Sequence, residues 1–384
     1  MKEHRFVTTV RGHRLTVVGQ PGVWSWDRLN PGTAALLETA VLEPEDRVLD
    51  LGCGTGVMGA AAAPEVREAV LVDCNVAAVE CARRTLQANR IRNGEVHLAD
   101  GCVGLEPASF DKVLCHLPRE RAVQEELLRG AAAVLRPGGT LYLVAHRDAG
   151  GRTAIRTAQA IFGRCGVIRR KKGYHVAMAV RPPDWEGHNT PHPYTAHTVV
   201  VDGVETVVVG KPGVFAWDRL DAGTAALIEA MEIGPADRVL DLGCGTGLVG
   251  VAAARRASKS RVVLVDADLR AVEAARRTLE AARRTLEANG IANAEVRLSD
   301  CGEGLPSGSF DVVATNPPFH VDVEVDRLIA LRFIEAARRL LRAGGRLYLV
   351  ANRFLPYEPW LQEAFPHVEV AWEDRRYRVW RCTR

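Results

Sequence analysis

Two short runs hold the residues best placed to do chemistry. The first, Asp241-Leu242-Gly243-Cys244-Gly245-Thr246-Gly247, lies between an apolar strand-like run and a helix start. Glycines there let the backbone turn sharply and approach a ligand, and the helix N-terminus beyond them is partly positive. The next apolar run ends on Asp266, 25 residues after Asp241, and the strand that follows ends at Asp300. A carboxylate at the place of Asp266 can accept hydrogen bonds from both hydroxyls of a ribose. A glycine triplet alone is weak, because close helix–strand packing also demands it. With a strand before, a helix after and the acid at this distance, the run reads as a nucleoside-binding loop.

The second run, Asn316-Pro317-Pro318-Phe319-His320, follows the strand-like FDVVAT directly, at the end of the strand where ligands bind in open α/β sheets. Two consecutive prolines fix φ and remove two NH donors, which leaves acceptors in surplus. Asn316 Oδ1 and the Pro317 carbonyl suit the two hydrogens of an exocyclic amine on a base. Holding both would aim the nitrogen lone pair at an electrophilic methyl, so the gain comes from orientation and proximity rather than from a strong base. Phe319 offers a stacking face, worth about 1–3 kcal/mol per base. His320 is open between a phosphate or base-edge contact and a polar loop position. Standing alone, the segment would be a Pro-Pro turn with a packed Phe; after a nucleoside loop, the amine-presenting reading is preferred.

Dinucleotides and S-adenosylmethionine both use such a loop, and two details favour the second. The pyrophosphate fingerprint asks for glycine at the sixth place, where Leu248 stands. An acidic start at Asp241 suits a cationic ligand better than a pyrophosphate. The plainer alternative for Asp241 is a cap on local backbone NH groups, and cofactor contact is preferred because the position recurs with the whole loop.

The elements that must position these residues occur twice. Residues 19–59 align without gaps to 210–250, with 27 of 41 positions identical, and the correspondence runs on to YHVAMAVR (174–181) against YRVWRCTR (377–384). Each half opens with a hairpin pattern, and Asp202-Gly203 is a good two-residue turn. Strand-like and helical runs then alternate, which predicts a parallel, doubly wound α/β sheet. The second half carries AARRTLE twice in succession (274–280 and 281–287). Seven residues are almost two turns, so the insertion lengthens a helix without rotating its apolar face. The expected domains are 1–181 and 197–384, with the Pro/Gly/His-rich stretch 182–196 as linker.

KPGVFAWDRLDAGTAALIEA, DLGCGTG, NPPFH and ANRFLPYEPWLQEAF together resemble the ribosomal RNA guanine-N2 methyltransferases of the small-subunit methyltransferase C type. The resemblance covers the second half motif by motif, and the duplication covers the rest. NPPF is shared with adenine-N6 and glutamine-N5 methyltransferases, so it specifies an amino group; KPGVF and NRFLPYEP are the more family-specific pieces. It implies two tandem class I methyltransferase domains (Rossmann-like, seven strands each), S-adenosylmethionine as cofactor, and ribosomal RNA or a ribosomal subunit as partner. By the same resemblance Asp241, Gly243, Gly245, Gly247 and Asp266 bind cofactor, Asp300 lies near the adenine, and Asn316, Pro317, Pro318 and Phe319 present the base. Phe215 and Asn352 are further candidate substrate contacts, and His320 is a third that stays open as above. The alternatives are amino methylation of adenine or of a protein glutamine, and a non-catalytic cofactor-binding RNA assembly factor.

At the place of NPPFH the first half reads Cys115-His116-Leu117-Pro118-Arg119-Glu120, without amide or stacking Phe. It should therefore not methylate an amino group, as the family's degenerate first domain, thought to help folding and bind RNA, implies. Yet it keeps DLGCGTG intact. Either Asp50, Gly52, Gly54 and Asp73 still bind adenosylmethionine, or the loop persists as packing.

Charge is nearly balanced at 50 basic to 47 acidic residues, too mild to announce a nucleic-acid binder. The split is uneven, with 25 basic against 21 acidic residues in 1–195 and 25 against 26 in 196–384. Arg169-Arg170-Lys171-Lys172 is the densest basic run, read as a solvated hairpin tip or a phosphate contact. No long apolar run or signal-like start is present, and the nine cysteines form no C-x-x-C pair. A cytoplasmic, metal-free monomer is the expectation.

Overall fold

Each half begins with the hairpin its alternation predicts. His4–Val10 pairs antiparallel with His13–Gly19, and Thr195–Val201 with Val204–Gly210. Both turns, Arg11-Gly12 and Asp202-Gly203, have positive φ at their two residues, the geometry that matches strand twist. The structure, a computed structural model, describes residues 4–285, 293–318 and 323–384. Each hairpin is pinned to a following helix by a buried threonine. Val18 N donates to Thr85 Oγ1 at 3.0 Å, and Val209 N to Thr278 Oγ1 at 2.9 Å.

The chain divides into two compact units, Met1–His192 and Pro193–Arg384. In the second, seven strands lie in the order Ala294–Leu298, Val262–Asp266, Val239–Leu242, Phe310–Thr315, Leu341–Asn352, Tyr377–Thr383, His367–Glu373. All run parallel except Tyr377–Thr383, which is antiparallel to both neighbours. The central runs are apolar at successive positions because both faces are covered by helices. Val262 and Leu264 join the core on one face, Val263 and Val265 the core on the other. The first unit repeats the plan strand for strand, with its own two cores.

Strand order reverses between Val239–Leu242 and Phe310–Thr315, the switch point where open α/β sheets bind ligands. Thr315 Oγ1 donates to Leu242 O at 2.7 Å across that point, so the glycine loop and Asn316 leave the sheet side by side. One helix, Leu269–Thr285, takes in the first AARRTLE and the second as far as Thr285, and is longer than its first-unit counterpart Val76–Ala88; Leu286 and Glu287 lie outside the described residues.

Residues 182–196 do not hang free between the units. Trp185 packs on the first unit's core under the Arg181 guanidinium, and His192 Nε2 meets Ala122 O at 3.1 Å. Tyr194 belongs to the second unit, donating to Arg270 O. Indole and phenol rings at these places bury apolar surface that a polar spacer would lack.

Candidate active site

The three glycines of 243–247 all have positive φ, but for different reasons. A Cβ on Gly247 would stand 3.0 Å from Ala275, and one on Gly243 3.0 Å from the Phe333 ring, so a side chain at either would crowd its neighbour. A Cβ on Gly245 would meet only open space. Packing therefore does not explain Gly245; its φ of +52° does, and the open space beside it leaves room for a ligand along the loop. Gly243 N and Cys244 N donate to Val265 O, and Gly247 N to Cys244 O, which fixes the loop against the next strand. Asp266 closes it: Oδ2 accepts from Gly245 N and Oδ1 from Asp268 N, both at 3.0 Å. Burial raises its carboxyl to about 6, against the lowering effect of those donors. A carboxylate beside an open glycine backbone fits a nucleoside cofactor: Asp266 could accept from a ribose and Gly243–Gly247 could cradle the ligand.

Asp241 sits differently. It is 2% exposed, Oδ2 accepts from Gly250 N at 2.9 Å, and burial pushes its carboxyl up to about 7. The structure thus shows the backbone cap that the sequence reading ranked second. Asp300 forms an ion pair with Arg332 at 2.5 Å, a partner on the helix Val323–Leu340 that sequence reading did not identify.

Beside the loop, a cleft is lined by Phe215, Asp221, Asn316, Pro317, Asn352 and Tyr377, over a floor of Ala351, Leu355 and Tyr357. Four of these, Phe215, Asn316, Pro317 and Asn352, were sequence candidates; Asp221 and Tyr377 were not. Pro318 follows on the exposed side, and Phe319 and His320 lie outside the described residues. Asn316 Nδ2 donates to Thr224 Oγ1 at 3.1 Å and reaches Asp221 Oδ2 at 3.4 Å. Asp221 is itself the N-cap of the helix Ala222–Ala230, accepting from Thr224 N. The helix start thereby takes both hydrogens of the amide and leaves Oδ1 as its acceptor.

The first unit repeats the loop. Gly54 N and Asn75 N donate to Asp73 at 2.9 Å each, Gly59 N donates to Asp50 at 2.7 Å, and Gly52 faces open space. Over Gly54, however, Trp24 O lies 3.6 Å from where a Cβ would be. At the end of the strand Phe110–His116, His116 occupies the place of Asn316 on the same anchor, with Nδ1 2.9 Å from Thr33 Oγ1. Burial lowers it to about 4, so the ring is neutral near pH 7. Leu117, buried, stands where Pro317 does.

The methyltransferase small domain model matches residues 14–178 and again 205–381. A ribosomal RNA small subunit methyltransferase C from Pseudomonas entomophila (strain L48) is 34% identical over 286 residues, 73% of this chain and 82% of that protein. One from Hahella chejuensis (strain KCTC 2396) is 31% identical over 278 residues, 72% of this chain and 78% of that protein. Among solved structures, a T. thermophilus 16S rRNA N2 methyltransferase in complex with AdoMet and guanosine matches with a TM-score of 0.82 at 29% identity, over 99% of this chain and 98% of that one. Two tandem class I methyltransferase folds, the duplicated family match and relatives aligned across most of both chains agree: this chain belongs to the ribosomal RNA small subunit methyltransferase C family.

Proposed function

We propose that the second unit transfers a methyl group from S-adenosylmethionine to the exocyclic N2 amine of a guanine in ribosomal RNA. The observation that carries this reading is the fixed amide of Asn316, whose Nδ2 is engaged by Thr224 and Asp221 at the mouth of the cleft. Asn316 Oδ1 and the Pro317 carbonyl accept the amine's two hydrogens, so the nitrogen lone pair is turned away from them. When bound along Gly243–Gly247 and Asp266, the cofactor supplies an electrophilic methyl on a sulfonium. The nitrogen gains acidity only as the new bond forms, so the cleft supplies acceptors and alignment rather than a strong base. Phe215, 58% exposed in the lining of the cleft, offers a face for the base, and Asn352 and Tyr377 line the same cleft. The choice of guanine and of ribosomal RNA is supported by what the relatives act on and by the guanosine held by the T. thermophilus protein. The first unit, with His116 and Leu117 in these places, does not transfer.

The test is methyl transfer from labelled cofactor to unmodified 30S subunits, 50S subunits and naked ribosomal RNA, followed by digestion to nucleosides. N2-methylguanosine from at least one of them is the expected product. Label in adenosine, in protein, or in none of the three contradicts the proposal.

A further inference from the structure

Three features stand in a row across adjacent strand ends of the second unit: the glycine loop after Val239–Leu242, Asp266 at the end of Val262–Asp266, and Asp300 just past Ala294–Leu298. Strand pairing sets Asp266 opposite Leu298, and Ser299 N donates to Asp266 O at 2.8 Å, so Asp300 is the next residue out on that edge. A nucleoside with its ribose at Asp266 and its remaining substituent along the glycine loop therefore lays its base on the Asp300 side.

The helix Val323–Leu340 closes that side. Arg332 meets Asp300 Oδ2 at 2.5 Å, with the two side chains only 16% and 13% exposed. The next residue, Phe333, sets its ring against Gly243 of the loop. Two turns further along, Arg339 donates to Gly302 O at 3.0 Å and Leu305 O at 3.2 Å, which ties down the turn that Asp300 opens. Burial and then the Asp300 charge push the neighbouring Cys301 thiol up to about 12; Arg332 opposes the rise and Asp266 adds to it. Both carboxylates thus act on one spot, where two negative charges repel and the guanidinium offsets them.

The first unit keeps the acids and not the cation. Asp73 and Asp100 stand where Asp266 and Asp300 do, and Ala99 N donates to Asp73 O at 3.0 Å, so the strand end is built alike. Counting back from the paired glycines Gly138-Gly139 and Gly344-Gly345, Glu126 takes the place of Arg332 and Ala133 that of Arg339, both on the helix Arg121–Val134. An ion pair needed to build this edge would recur in both copies, as the hairpin threonines do. This one occurs only in the copy with the amine-presenting Asn316.

We infer that Arg332 is a positioning residue for the cofactor: it holds the Asp300 carboxylate where it accepts from the exocyclic amine of the purine. The inference rests on the reading that the second unit binds S-adenosylmethionine. A neutral amine exerts no pull on a carboxylate comparable to that of a cation, so selecting it depends on an acceptor already fixed in place.

The test uses the full chain and two calorimetric probes, S-adenosylhomocysteine and its analogue lacking the purine 6-amino group. The parent should favour the first by about tenfold or more, the value of a hydrogen bond to a charged acceptor. Arg332→Met should bring that ratio to about threefold or less, and Arg332→Lys should restore most of it. In an Asp300→Asn chain, Arg332→Met should change the ratio no further, because the arginine acts through the carboxylate. Circular dichroism melts establish that each variant is folded, and a purely structural loss would weaken both probes alike. A folded Arg332→Met chain with the parent's ratio overturns the inference, as does a parent without preference or a further change in the Asp300→Asn chain. Methyl transfer to ribosomal RNA is measured separately. Transfer by a parent whose ratio Arg332→Met leaves unmoved overturns this inference alone; a ratio that moves in a chain without transfer contradicts the proposed reaction and supports the role of Arg332.

Discussion

At the scale of single residues, Asn316 can read an amine only if its own amide does not flip, because the flipped form would present a donor to a donor. Thr224 Oγ1 and Asp221 Oδ2 prevent that by taking the Nδ2 hydrogens. Thr224→Val removes one acceptor while keeping the shape, and a lost hydrogen bond of this kind is worth about 1 kcal/mol. The expected result is a kcat lower by about fivefold to tenfold with cofactor affinity unchanged, and recovery in Thr224→Ser. Steady-state kinetics with ribosomal RNA and calorimetry with cofactor measure the two halves of that statement; an unchanged kcat would remove Thr224 from the positioning role. Asn316 was legible because its motif is contiguous. Thr224 was not, because its partner lies 92 residues further along the chain, and locally it looks like any first-turn threonine. Asp241 shows a contact the sequence offered only as the plainer alternative: its buried carboxyl accepts from Gly250 N.

At the scale of elements, the glycine loop shows how one motif mixes packing and binding. Sequence identifies three glycines without ranking them. The ranking comes from the helix Leu269–Thr285, whose Ala275 passes so close that a Cβ on Gly247 would be crowded, while Gly245 looks into open space. Gly247→Ala should therefore cost about 1–3 kcal/mol of stability, from both its φ of +85° and the contact. Gly245→Ala should cost less, about 1–2 kcal/mol from its φ alone, yet abolish cofactor binding to the second unit. Thermal melts of the two variants beside cofactor titrations check this. The reverse pattern, with Gly245→Ala the more damaging to the fold and harmless to binding, would assign the loop to packing. The strand–helix alternation and the switch point were readable from apolar runs, since buried parallel strands must be apolar at successive positions. The Asp300–Arg332 pair was not, because a helix with several arginines does not say which one faces the sheet edge.

At the scale of the whole molecule, one fold written twice provides its own control. Both copies keep the buried threonine that pins the hairpin, the acid that closes the glycine loop, and the threonine that anchors the residue ending the fourth strand, in chain order, of the seven-stranded sheet. What differs is the residue on that anchor, Asn316 in one copy and His116 in the other. The duplication was plain in the sequence, as was the loss of NPPFH from the first half. The edge-on contacts of Trp24, His116, His146 and Tyr174 in the first unit were not, because these rings are scattered along 151 positions, and only the sheet brings them together.

The division of labour between the copies is tested most directly by comparing Asn316→Ala with His116→Ala at saturating ribosomal RNA and cofactor, scoring N2-methylguanosine in the digested product. The account predicts that Asn316→Ala loses nearly all transfer while His116→Ala keeps the parent kcat. Transfer retained by Asn316→Ala, or lost in a folded His116→Ala chain under these conditions, would contradict it.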